Sequence, residues 1–230
     1  MNSIISVLKN VLIFFLLNII TLKSQDVNKI LPFSIQNNYF PTGWMGDGQF
    51  GEKNIYFFNS WVDTSRPDAH CIKVNYHTQG PIAWAGIYWQ NKPNNWGDFP
   101  GGNFLKYEYT KLTFWAKGEE GGEVIKFKSG GIGYLGRGSD WHPSSREMRE
   151  YSDSFIANTG YVILEKEWRK YTINLENKNL SSVIGGFCWV IDSHGYSEKT
   201  FTIITSENEE LSFWDSPKKI DFYLDDIQIE

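Results

Sequence analysis

Several common signals are missing from this 230-residue chain, and each absence excludes something. Cysteine occurs only as Cys71 and Cys188. The two allow one disulfide, which export would permit, or two thiols buried in apparent strands. The four histidines never form H-x-H or H-E-x-x-H, so there is no zinc signature. No G-x-S-x-G elbow marks a serine nucleophile. No spaced acid set such as E-x-D-x-x-E lies on a strand, although acids distant in sequence can still converge on a glycosidic bond. Basic charge is also short. With 22 Lys and Arg against 27 Asp and Glu, the net charge of −5 argues against a nucleic-acid partner, whose phosphates ask for a basic surface. Helical periodicity is nearly absent, and there is no internal repeat, low-complexity linker or domain boundary. Gly131, Gly133 and Gly136 match G-x-G-x-x-G. The Arg-Gly-Ser-Asp-Trp-His-Pro that follows cannot start the helix a dinucleotide site needs.

Only one long apolar run exists, from Val11 to Ile20, broken by Asn18. Lys9 precedes it, and Ser24 and Gln25 follow. A positive start, a short apolar stretch and a polar exit predict a secretory signal peptide over residues 1–24. The run is short for a membrane span. The expected product is a secreted or periplasmic protein, residues 25–230, with no membrane association after cleavage.

What the chain does have is aromatic side chains: 10 Trp, 12 Tyr and 16 Phe, with 21 Gly. They can build a large core or offer stacking faces to a flat ligand. Strand-like runs fall at 71–76, 82–90, 111–117, 123–128, 161–164, 169–175, 183–191 and 220–229, with a further candidate at 200–205. In 111–117, Leu112, Phe114 and Ala116 share one face, and Thr113, Trp115 and Lys117 share the other. A period of two with one apolar face predicts an all-β fold, a two-sheet antiparallel β-sandwich of the jelly-roll kind. Two connections, 130–160 and 193–219, are long, and long loops in compact domains are often functional.

Two segments carry candidate chemistry. Asp225 and Asp226 interrupt the apolar last strand. Alternation turns at least one of them inward or into the sheet edge, and a buried carboxylate is costly without a cation. Calcium is the natural extracellular partner, with Asp47 as a further ligand. Otherwise both acids are exposed or take backbone N–H groups. The second segment, 84–98, is a strand running into a Pro/Asn/Gly turn. Trp84, Gly86, Tyr88 and Gln90 share one face, and Ala85, Ile87 and Trp89 the other. Indoles beside amides and carboxylates suit a sugar, which offers a C–H face to stack and hydroxyls to hydrogen-bond. The opposing reading is that these Trp fill the core. Trp115, Trp168 and Trp189, in regular strands or at their starts, are expected to be mostly packing.

Taken in order, Gly43-Trp-Met-Gly-Asp47, residues 84–98, Leu112-Thr-Phe-Trp-Ala116, residues 122–132, residues 168–175, Val183-Ile-Gly-Gly-Phe-Cys-Trp189 and Phe222-Tyr-Leu-Asp-Asp-Ile227 resemble a bacterial carbohydrate-binding-module-like jelly roll with a galactose-binding-like fold. The resemblance runs from about Phe33 to Glu230. It implies a structural calcium near the last strand, at Asp225 and Asp226, and a polysaccharide or oligosaccharide ligand on the concave sheet or its loops. By position, the ligand-binding residues would be Trp89, Asn95, Trp96 and Asp98, with Trp141 beside them. The expected function is therefore non-catalytic carbohydrate binding. One alternative is a small glycan-active hydrolase or lyase, using Arg137, Asp140, Trp141 and His142. Another is a structural or interaction domain whose aromatics are all core.

Overall fold

A computed structural model describes residues 31–50, 54–78, 84–133, 149–192, 203–204, 210–211 and 219–230. The expected signal peptide lies outside the described residues, as do residues 134–148 of the 130–160 loop, with Arg137, Asp140, Trp141 and His142. From Pro32 onward the chain forms one compact unit. Its strands are β1 (Phe33–Ser34), β2 (Phe40–Gly46), β3 (Ile55–Val62), β4 (His70–His77), β5 (Trp84–Gln90), β6 (Lys111–Gly118), β7 (Val124–Gly130), β8 (Ile156–Ile163), β9 (Arg169–Asn174), β10 (Gly185–Asp192), β11 (Ile203–Ile204), β12 (Glu210–Leu211) and β13 (Lys219–Ile229). One short helix, α1 (Ile35–Asn38), is capped by Ser34, whose hydroxyl accepts the Asn37 N–H.

Two antiparallel sheets make the sandwich, as the alternation predicts. One runs β3-β4-β13-β6-β9, with β1 added beside β13; the other runs β2-β5-β10-β7-β8. The faces that meet are the apolar ones. The six-stranded sheet contributes Ile72, Val74, Tyr76, Leu112, Phe114, Ala116, Phe222 and Leu224, and the five-stranded sheet contributes Ala85, Ile87, Trp89, Ile125, Phe127, Phe187, Trp189 and Ile191. Rings bridge the layers: Phe114 lies 4.6 Å from Phe127, and Trp189 meets Phe222 edge-on at 5.2 Å. The two cysteines are free and buried, Cys71 on β4 and Cys188 on β10, so the thiol reading holds and the disulfide does not form. Burial pushes both thiols up to about 12.

The outer face of the five-stranded sheet is covered over β2, β5 and β10. Met45, Tyr88, Ile132, Ile184 and Cys188 form a second apolar layer there, with Trp84, Trp96 and Tyr151 packed against it. Asp153 ties this layer down. Its carboxylate is 1% exposed and accepts the N–H groups of Ile132 (2.8 Å), Ile184 and Gly185 (3.2 Å). Burial pushes its pKa up to about 7, with the backbone donors pulling the other way. The folded pKa therefore lies above the unfolded one, the folded state binds the proton more tightly, and this contribution is lost as pH rises between about 4 and about 7. Three pKa units at ~1.4 kcal/mol each set the scale at about 4 kcal/mol. In urea unfolding, the stability advantage of the wild type over Asp153→Asn should shrink by up to that amount between pH 4.5 and pH 7.5. A gap that is constant or grows with pH would show that the carboxylate is held as the anion throughout.

Candidate binding face

The outer face of the six-stranded sheet is differently made. Register places Phe58 opposite Lys73, Lys73 opposite Tyr223 and Tyr223 opposite Lys117, one row across four strands. Directly opposed residues point to the same side of a sheet. Trp168, one residue before the Arg169 that pairs with Ala116, continues the row. At about 4.8 Å per strand, the row from β3 to β9 spans roughly 19 Å.

Two β-bulges add to this face. In β3 the pairing steps from Phe58↔Lys73 to Trp61↔Cys71, three residues against two. Plain alternation would turn Trp61 to the core side with Phe57. The extra residue at Asn59–Ser60 restores it to the side of Phe58, where the two rings lie 5.7 Å apart. In β13 the pairing steps from Asp225↔Trp115 to Gln228↔Thr113, and Asp226, at φ 49°, is the inserted residue. Asp225 thus shares the outer face with Tyr223 and Trp115.

Cations and rings interleave on this surface. The Lys73 ammonium lies 4.3 Å from the Trp61 ring and 5.0 Å from that of Tyr223. Lys117 lies 4.7 Å from Tyr223 and 5.3 Å from Trp168. Each lysine also has a carboxylate: Asp63 for Lys117 at 2.8 Å and Glu119 for Lys73 at 3.7 Å. Burial raises the Asp63 carboxyl, but the Lys117 ammonium and the Ser65 donors outweigh it and hold the group well below the usual carboxylate range. The Tyr223 hydroxyl donates to Glu119 and holds that carboxyl low as well. The Trp168 indole N–H is shared by Asp63 Oδ2 at 3.2 Å and Ser65 Oγ at 3.1 Å. Trp61 is 38% exposed, and Tyr56 and Phe58 on the same strand 45% and 44%.

The carboxylates expected to hold calcium are engaged differently. Arg66, in the turn between β3 and β4, reaches over the sheet, and its Nε and Nη2 lie 2.5 Å from Asp225 Oδ2 and 2.6 Å from Asp226 Oδ2. Gln36 of α1 donates to the other Asp225 oxygen at 3.4 Å, and the Asp226 N–H donates to it at 2.9 Å. Asp47 is fully buried elsewhere and accepts the Tyr76 hydroxyl at 2.8 Å. Asp225, Asp226 and Asp47 do not fit a calcium ion. The cation that the buried carboxylate asks for is a guanidinium. Among the described residues, no three His, Cys, Asp or Glu side chains are grouped to hold a metal.

The residues expected to bind the ligand are also placed otherwise. Trp89 is 1% exposed in the core, 5.7 Å from Phe57 and 5.3 Å from Phe187, and has no free face. Its alternation with Tyr88 was legible; that its side is the core side is the correction. Asn95 is fully buried. Its Oδ1 accepts the N–H groups of Gly97, Asp98 and Phe99, and its Nδ2 donates to Asn91 and to the Phe99 carbonyl, so its polar atoms hold the loop in shape. Trp96 packs edge-on against Tyr88 at 6.1 Å and seats that loop on the five-stranded sheet. Asp98 is exposed and paired with Arg149 at 2.8 Å. Trp141 lies outside the described residues. Of the Trp expected to be packing, Trp189 is in the core, whereas Trp115 and Trp168 are half-buried on the outer face. The signal for that face was present: in 111–117 Trp115 and Lys117 sit opposite the apolar set.

No family model matches the chain, and no curated protein matches it. Solved structures do resemble it. A family 30 carbohydrate-binding module superposes with a TM-score of 0.48 at 17% identity, over 87% of this chain and 88% of the other. The family 30 module of a cellulosomal cellulase of Clostridium thermocellum gives 0.46 at 15% identity, over 87% and 97%. An adhesin domain of Lys-gingipain from Porphyromonas gingivalis W83 gives 0.38 at 12% identity, over 87% and 96%.

Proposed function

We propose that this protein is a secreted, non-catalytic carbohydrate-binding protein whose ligand, a polysaccharide, lies on the outer face of the six-stranded sheet. The observation that carries the reading is the row Phe58, Lys73, Tyr223, Lys117 and Trp168, with Trp61 raised beside it by a bulge. The exposed rings of Phe58 and Trp61 suit the C–H patches of sugar rings, while Tyr223 is itself buried between Lys73 and Lys117. The ammonium and carboxylate groups beside the rings suit hydroxyls as donors and acceptors. The composition favours a glycan over a protein partner. Cores of protein interfaces are depleted in Lys, Glu and Asp, and here Lys73, Lys117, Asp63 and Glu119 stand among the rings. The leader-like start of the sequence supports export, where polysaccharides are met.

The test is affinity electrophoresis of residues 25–230 through gels containing hydroxyethyl cellulose, mixed-linkage β-glucan, arabinoxylan, galactomannan or polygalacturonate. Retardation by at least one is expected. Unretarded migration through every gel would overturn the reading.

A further inference from the structure

Asp225 lies buried under the proposed binding face with Asp226 exposed beside it, and a single arginine pairs with both and touches two of the face's indoles. The Arg66 guanidinium is 7% exposed and sits 4.7 Å from the Trp115 ring and 5.0 Å from the Trp168 ring while both aspartates accept its N–H groups. A planar fork can do these things together. Its edge donates to carboxylates while its faces stay free for aromatic rings. The turn is built to deliver it. The Arg66 N–H donates to the Asp63 carbonyl at 3.1 Å, and the Asp63 and Ala69 N–H groups donate to the Ala69 and Arg66 carbonyls, each at 3.0 Å. The same turn carries Asp63 and Ser65, the two acceptors of the Trp168 indole N–H. Trp168 is thus held by this turn at its N–H and at its ring.

We infer that Arg66 takes the place of a structural cation in this domain and is the positioning residue for Trp168 on the glycan face. The second half of this rests on the function proposed above; the first does not. The buried carboxylate, Asp225, is paired one-to-one from within the chain, and Asp226 beside it is open to water, so this site needs no divalent ion. The geometry of the Trp168 end of the face depends on the fork and not on positive charge alone. Arg66→Lys keeps the charge but provides one ammonium in place of two divergent donors and a flat stacking surface.

Three readouts test this on the mature chain. First, EDTA followed by excess Ca2+ should leave the wild-type Tm unchanged. A Tm lowered by EDTA and restored by Ca2+ would return the role to a metal, since a ligand bound only by the native state stabilises it. Second, Arg66→Lys should still unfold cooperatively but change the near-UV circular dichroism of the tryptophans. An unchanged spectrum would show that the fork does not set the indoles. Third, on whichever polysaccharide gel retards the wild type, Arg66→Lys should bind about tenfold more weakly, the loss of one well-placed contact. Wild-type affinity with a lowered Tm would make Arg66 structural only. If no gel retards the wild type, the functional proposal fails by itself, and the first two readouts still decide the place of Arg66.

Discussion

Trp89→Ala should strongly destabilise this protein without acting on the binding face. The indole is 1% exposed and packed between Phe57 of the facing sheet and Phe187 of its own. Removing a buried indole forfeits its transfer free energy and leaves a cavity that close-packed neighbours fill only in part, at about 3–5 kcal/mol. For a domain of this size, where each kcal/mol lowers Tm by about 2–4 °C, the expected fall is roughly 6–20 °C. Thermal or urea unfolding measures it. At temperatures where the variant stays folded, its retardation by polysaccharide should match the wild type. A stable variant that has lost binding would instead place Trp89 in the ligand site.

Trp61→Ala should do the reverse. Its ring is 38% exposed on an edge strand, with the Lys73 ammonium 4.3 Å from it, and it lies on the face turned away from the core. Substitutions at such positions usually change stability by less than about 1 kcal/mol. As an anchor on the binding face, however, it should contribute about 2 kcal/mol or more, so affinity should fall roughly 30-fold or further. Retardation across the same gels, with Trp96→Ala as the comparison, gives the answer. Trp96 holds the 91–104 loop through Tyr88 and is expected to leave affinity near wild type. Loss of retardation in Trp96→Ala but not in Trp61→Ala would move the site to that loop.

Alternation found the sandwich because each of its faces has one character along most strands. Leu112, Phe114 and Ala116 point inward as expected, and so do Ala85, Ile87 and Trp89. β3 was not legible. It reads Ile-Tyr-Phe-Phe-Asn-Ser-Trp-Val, apolar at neighbouring positions and bulged in the middle, so no period of two survives. Missing β3 meant missing Trp61, and with it the row it belongs to, because the row exists only once five strands from distant parts of the chain are set side by side. The segment 84–98 gathers Trp, Asn and Asp within a few residues, the pattern of a sugar site. Those groups are engaged within the protein: Asn95 on its own loop, Trp96 on Tyr88 and Asp98 on Arg149. The acid pair on the last strand was legible as a demand for a cation. That the cation is Arg66, 159 positions away from Asp225, was not.

The ligand is proposed to lie on the outer face of the six-stranded sheet. Amide hydrogen exchange with and without the retarding polysaccharide tests it most directly, because bound ligand slows local opening where it sits. Added protection is expected in residues 55–78 and 163–170, the edge strand, its turn and the approach to β9. Protection confined to residues 91–104, with 55–78 unchanged, would contradict it.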